Sequence, residues 1–229
     1  MTEFHVFSEP DGLAEFAAAR VALALGQGLA DRGAASLVVP GGRTPIAFLG
    51  KLGCRSLGWA RISVTLSDER WVDPLSPDSN EALVRRTLLL GPAAAARFIP
   101  LYDGAVSPAM GVAETSERIE QVPRPWDAVV LGIGEDGHFA SLFPGEPALA
   151  VGLDPAAKVL CVPARGPVAG PPRLSLTLAC LAATRHLFVL ATGAAKREIW
   201  QAAGAARSDL PVAALRRLTA PPVEFLWCP

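Results

Sequence analysis

The sequence predicts an α/β protein, a Rossmann-like three-layer α/β/α fold with a mostly parallel sheet. Three observations predict it. Short, largely apolar runs of strand length recur at 35–39, 62–66, 128–131, 159–162, 187–191 and 223–226, and runs without polar alternation suit strands covered on both faces. Stretches with helical apolar spacing alternate with these runs, as a parallel sheet with crossover helices requires. Glycine- and proline-marked turns punctuate the alternation.

Taken in order, a terminal strand carries His5. Phe16, Ala17, Val21, Leu25 and Leu29 then recur near helical spacing, and Asp31-Arg32-Gly33 supplies a C-terminal stop; the spacing predicts a helix of about five turns over 13–29. After the strand at 35–39, Gly41-Gly42-Arg43-Thr44-Pro45 places a hydroxyl at an N-cap position and Pro at the first helical position of a helix running to Leu52. A strand at 62–66 and helices over 78–90 and 110–121 follow. The strands at 128–131, 159–162, 187–191 and 223–226 complete the sheet, with a helix over 196–206 between the last two.

Composition bounds the function. The 229 residues are 51% hydrophobic and 19% charged, enough apolar content for a substantial core. No linker-like stretch divides the chain, so the expectation is one domain over 1–229. The formal net charge of −1 argues against nucleic acid or an anionic membrane as partner, since both call for clustered Lys and Arg. Cys54, Cys161, Cys180 and Cys228 form no CxxC pair and read as buried, reduced thiols. The N-terminus shows no basic region followed by an apolar one, and nowhere do about 18 uncharged apolar residues run together. A cytoplasmic protein acting on a small molecule is expected.

In folds of this class ligands bind outside the carboxyl ends of the strands, so the residues that follow each strand are the ones to weigh. The Gly41-Gly42 turn resembles an ordinary strand-to-helix connection, yet bare backbone N–H groups beside a helix start also favour phosphate. Ser67-Asp68-Glu69-Arg70-Trp71-Val72, followed by Ser79-Asn80, reads either as a solvated loop with an Asp cap or, at a strand's carboxyl end, as part of a site. The densest segment is Gly132-Ile133-Gly134-Glu135-Asp136-Gly137-His138-Phe139-Ala140-Ser141-Leu142-Phe143-Pro144-Gly145. Its glycines satisfy GxGxxG, but two acids stand where a pyrophosphate would approach, Pro144-Gly145 cut the helix short, and the next strand ends in Pro163-Ala164-Arg165 rather than an acid for a ribose. What remains is a histidine flanked by an acid and by glycines that permit close approach, which suits a general base. His5 and His186 do not follow a strand and read as structural. Arg173 and Lys196 follow loops and are candidate phosphate-holding cations.

Together these segments, continuing through Arg173-Leu174-Ser175-Leu176-Thr177 and Gly193-Ala194-Ala195-Lys196, resemble the 6-phosphogluconolactonase family over nearly the whole chain. The DGHxASLFPG block is the specific part; the GGxTP turn is shared with sugar-phosphate isomerases and deaminases. The resemblance implies a substrate phosphate held by Gly42, Arg43, Thr44, Arg173 and Lys196. It implies His138 as the base that activates water, with Asp68, Arg70 and Asp136 beside it. Either Asp68 or Asp136 can orient His138. Ile133 and Phe139 depart from the residues common in the family, and Gly170-Pro171-Pro172 stands before Arg173 where a Pro-Pro-x arrangement is typical.

Two other readings compete. A glucosamine-6-phosphate deaminase or isomerase shares the turn and the DGH block, but there the block continues into Asn-Glu-Pro, whereas Ser141-Leu142-Phe143-Pro144 contains no acid. A non-catalytic sugar-phosphate sensor would be expected to lose the histidine first, and His138, Asp68 and Asp136 are all present. No cofactor is implied. No metal is expected either, because no His, Cys or acids stand at ligand spacing. By family resemblance the protein is expected to be a monomer.

Overall fold

The computed structural model describes residues 2–166 and 170–229. Its main sheet joins β1 (Thr2–Val6), β2 (Ala35–Val39), β3 (Ile62–Leu66), β5 (Arg97–Ile99), β6 (Ala128–Gly132), β9 (Leu187–Thr192) and β10 (Val223–Cys228) in the order β1-β10-β9-β6-β2-β3-β5. Every pairing in it is parallel. All five residues of β2 and all six of β10 are buried, as strands covered on both faces must be. The α-helices among the described residues are α1 (Pro10–Arg32), α2 (Ile46–Gly53), α3 (Asn80–Thr87), α4 (Pro108–Glu120), α5 (Leu149–Gly152), α6 (Leu178–Ala182), α7 (Ala194–Ala202) and α8 (Ala213–Arg216). The fold is α/β with a parallel sheet, as the alternation predicts.

The long first helix illustrates the packing. Ala14, Ala17, Ala18, Val21, Ala24 and Leu25 are buried, a stripe at helical spacing, and the helix contacts β2, β6, β10 and α2. By length and composition this helix is apolar enough to cross a membrane, but it lays that stripe on the sheet. It starts with Pro at the N-terminal turn and stops where Gly33 takes φ of 74°, a left-handed cap that glycine adopts without penalty. On the opposite face of the sheet from α1, which Glu224 faces through Arg20, the aromatic rings of Trp200 and Phe225 stack with centroids 4.2 Å apart.

A second sheet was not legible in the sequence. The short strand β4 (Asp68–Arg70), with β7 (Cys161–Ala164) and β8 (Arg173–Leu176), forms an antiparallel sheet in the order β4-β8-β7. The expected strand at 159–162 therefore lies two residues later and outside the main sheet. Its Pro163 is tolerated because β7 is an edge strand. Ser67-Asp68-Glu69 is not a solvated loop: Ser67 is fully buried, and Asp68 and Glu69 are nearly so. β4 continues β3 after one residue and crosses the end of the main sheet, where Ser67 N–H bonds the Val39 carbonyl and Leu176 N–H bonds the Ser67 carbonyl.

From β2 the chain builds outward through β3 to β5, and from β6 it builds the other way through β9 to β10. The order reverses between β2 and β6. A crevice opens at the carboxyl ends of strands at such a switch point, and the loops after β2 and β6 are the glycine turn and the histidine segment.

Candidate active site

His138 owes its position to a closed local turn. The Asp136 carboxylate meets His138 Nδ1 at 2.5 Å and also accepts the His138 backbone N–H at 3.1 Å. Gly134 N–H bonds the His138 carbonyl at 2.8 Å, and Gly137 N–H bonds the Gly134 carbonyl. The ring lies directly over Gly134, where a Cβ would stand 2.2 Å from its atoms, so glycine is required there. Gly137 has φ of 78° and Ala140 has φ of 50°; a non-glycine residue in the left-handed region is strained and such strain clusters at sites. The Phe143 ring packs on the imidazole with centroids 4.3 Å apart. With Nδ1 bound to Asp136, Nε2 is the nitrogen left for chemistry.

The facing wall carries Asp68, Arg70 and Arg173. Asp68 accepts from Ser67 Oγ at 2.9 Å and from Ser141 Oγ at 2.6 Å. It is therefore Asp136, not Asp68, that holds the imidazole. Arg70 and Arg173 stand opposite each other across the β4–β8 pairing. Arg70 Nη1 donates to the Asp78 carbonyl and to Asn80 Oδ1, while the Arg173 guanidinium lies over the Phe143 ring at 5.1 Å. The Nε of each arginine is buried with no hydrogen-bond partner among the described residues. Burial pushes Arg173 below the usual arginine range, against the pull of Asp68 and with help from Arg70. Two cations this close form an anion-receiving wall.

Glu69 fixes that wall from behind. Its carboxylate accepts from the backbone N–H groups of Arg70, Asn80 and Glu81, each at 2.7 Å, and from Ser79 Oγ at 3.0 Å. It thus ties β4 to the first turn of α3 and sets Asn80, which bonds both Arg70 and the Asp68 carbonyl. Burial raises the carboxyl above its usual range, while these four donors pull it back. Asn80 in turn packs against Gly41, where a Cβ would lie 1.9 Å from Asn80 Oδ1.

The third side is the glycine turn and the start of α7. Gly42 takes φ of 88° and Gly193 φ of 90°. Thr44 does not cap α2, which begins after Pro45 with no side-chain cap; its hydroxyl instead lies 3.4 Å from Thr192 Oγ1 and 3.5 Å from Lys196 Nζ. The hydroxyl faces the cleft, which is why the expected cap is absent. Lys196 is half-buried, and burial pushes its ammonium below the usual lysine range, opposed by Glu135 and reinforced by Arg43.

Gly42, Arg43, Thr44, Asp68, Arg70, His138, Arg173 and Lys196 thus line one cleft, with Asp136 behind His138. The sequence places Glu69, Asn80, Ser141 and Phe143 in segments that could form a site but gives none of them an individual role. Their contacts join segments far apart in the chain, which residue spacing does not register. Residues 8–227 match the family model described as glucosamine-6-phosphate isomerases/6-phosphogluconolactonase.

The chain belongs to that family.

Within the family, it is similar to proteins named 6-phosphogluconolactonase from Rhizobium meliloti, at 41% identity with 98% of each chain covered, and from Pseudomonas aeruginosa, at 43% identity with 93% of this chain and 89% of the relative covered. The crystal structure of a 6-phosphogluconolactonase from Shewanella baltica superposes with a TM-score of 0.95 at 33% identity, covering 100% of this chain and 98% of that one.

Proposed function

We infer that this chain is a 6-phosphogluconolactonase that hydrolyses 6-phosphoglucono-δ-lactone to 6-phosphogluconate. One observation carries the reading: an imidazole held through Nδ1 by Asp136 shares a cleft with an arginine pair on one side and a lysine–threonine–glycine pocket on another. The relatives' name supplies the substrate that fits it.

His138 Nε2 takes a proton from water as the water oxygen attacks C1 of the lactone, and Asp136 stabilises the imidazolium that forms. The carbonyl oxygen becomes an oxyanion facing Arg70, whose charge is worth most in a site shielded from water. The C1–ring oxygen bond then breaks, and His138 returns the proton to the departing ring oxygen, leaving a carboxylic acid that ionises. Asp68, held by Ser67 and Ser141 hydroxyls, keeps the two arginines from repelling each other out of place. Gly42, Arg43, Thr44, Lys196 and Arg173 hold the 6-phosphate, fixing the lactone carbon over His138. No metal or organic cofactor takes part in this scheme. The single domain over 1–229 works as a monomer in the cytoplasm, on a small molecule and without a nucleic-acid or membrane partner.

Leu142 and Phe143 are buried and give the cleft no carboxylate for opening an amino-sugar ring, which disfavours the deaminase reading. The intact His138–Asp136 pair disfavours a sensor. The test is hydrolysis of freshly generated 6-phosphoglucono-δ-lactone, coupled to excess 6-phosphogluconate dehydrogenase and compared with the spontaneous rate. Acceleration is expected; a folded protein that gives none refutes the reading.

A further inference from the structure

At the edge of the main sheet, away from the central cleft, β1 and β10 run parallel with Glu3 paired to Glu224. His5 lies two residues beyond Glu3 and so on the same face. His5 Nε2 is 3.6 Å from Glu3 Oε2 and 3.6 Å from Glu224 Oε2, and one ligand atom from each of the three residues lies within 4.8 Å of the others. Glu224 is 4% exposed. Its Oε1 accepts from Arg20 Nη2 at 2.7 Å, but its Oε2, like His5 Nε2, is buried with no hydrogen-bond partner among the described residues.

We propose that Glu3, His5 and Glu224 form a binding site for a divalent transition-metal ion, zinc above all, that clamps the edge strand β1 to β10. Donor atoms bonded to a tetrahedral zinc at about 2.0–2.2 Å stand roughly 3.3–3.6 Å from one another, which matches the two separations from His5 Nε2. One imidazole with two carboxylates suits zinc and its first-row neighbours; magnesium and calcium take oxygen donors. The two buried atoms that lack hydrogen bonds are the ones the ion would satisfy, and buried polar atoms without partners are rare enough to call for an explanation. Arg20 then acts as the outer partner that orients the Glu224 carboxylate, and its single positive charge is outweighed by two carboxylates. Glu3 is exposed, which gives the ion a way in, and water completes the coordination. The ligands come from opposite ends of the chain, so no spacing in the sequence announces them. Because β1 is the edge strand and stands three positions from β6, whose following loop carries His138, the ion is structural and lies away from His138.

The test is calorimetric titration of chelator-stripped protein with zinc chloride, with thermal melts beside it. Wild type is expected to take up one zinc ion per chain and to melt at a higher temperature with zinc, an increase that EDTA reverses. Glu3→Gln and His5→Gln change groups that are not fully buried; each is expected to stay folded by circular dichroism, to lose at least ~10-fold in zinc affinity, to show no zinc-dependent melting shift and to turn over lactone as wild type does. No uptake by wild type, uptake unchanged in both variants, or uptake lost only in His138→Ala would each overturn the proposal.

Discussion

The two walls of the cleft are built in opposite ways. His138 and its partner Asp136 are two residues apart, and the bonds that hold them are made within one glycine-rich turn. The arginine wall joins β4, the first turn of α3 and β8, and its keystone, Glu69, gathers donors from residues 70, 79, 80 and 81 while almost completely buried. The difference teaches that reactivity and stability are separable on one side and fused on the other. Changes in the turn should slow chemistry in a protein that remains as stable as before, whereas changes around Glu69 should move both together.

The largest effect is expected at the turn. His138→Ala removes the base and should lower kcat by about 10²–10⁴ with little change in melting temperature, because the ring is partly exposed and its neighbours keep their own bonds. Binding of 6-phosphogluconate should persist. A variant that loses affinity for the product but keeps its kcat breaks the assignment of His138. Gly134→Ala is the next test, since its new Cβ would overlap the imidazole; displacing the ring by about an ångström should cost roughly 10² in rate. If the variant is as active as wild type, the ring is not held where the chemistry needs it.

The same contrast decides what could be read from the sequence. His138, Asp136 and the glycines sit in one contiguous block, so their types and order alone pointed to a base with an acid beside it. Strands β2 and β3 were legible as well, because they coincide with apolar runs at 35–39 and 62–66, but the strand order that puts the switch point between β2 and β6 was not. Residues 68–70 were not legible as a strand, because Asp-Glu-Arg has neither apolar pattern nor length, and its pairing with β8 is a contact across the whole chain. Nor did the sequence decide between Asp68 and Asp136, since that turns on which hydroxyls each carboxylate faces. Thr44 satisfied the rule for an N-cap and was used otherwise, its hydroxyl facing Thr192 and Lys196. Local rules fail where a residue belongs to a site.

Glu69→Gln sharpens the comparison from the other wall. An amide in place of the carboxylate turns an NH2 toward groups that are themselves donors, and hydrogen bonds to a charged acceptor are worth about 1.5–3 kcal/mol each. The variant should lose roughly 2–3 kcal/mol of stability and, because Asn80 and Arg70 shift with it, about tenfold in kcat with KM less affected. Chemical denaturation and steady-state kinetics on the same preparation check both. A loss of stability with wild-type kcat would mean that Arg70 does not depend on Glu69 for its position, and the wall would be less fused than its hydrogen bonds indicate.

The smallest effect belongs to Lys196, which is part of neither wall and should change binding alone. Its ammonium is charged at low pH and, because burial lowers its pKa, loses its proton at a lower pH than an ordinary lysine does. The charge that grips the phosphate is therefore present on the acid side of that lowered pKa and lost as pH rises through it. Affinity for 6-phosphogluconate, measured by competition so that spontaneous opening of the lactone does not intervene, should weaken on the alkaline side before surface lysines titrate. Lys196→Arg keeps its charge throughout that range and should flatten the alkaline limb, even if its absolute affinity is lower. The same fall in Lys196→Arg as in wild type would assign the titration to another group and remove Lys196 from the phosphate pocket's electrostatics. A kcat that falls together with affinity in wild type would show that the phosphate end is coupled to the histidine turn, so that the cleft works as one unit instead of separate sides.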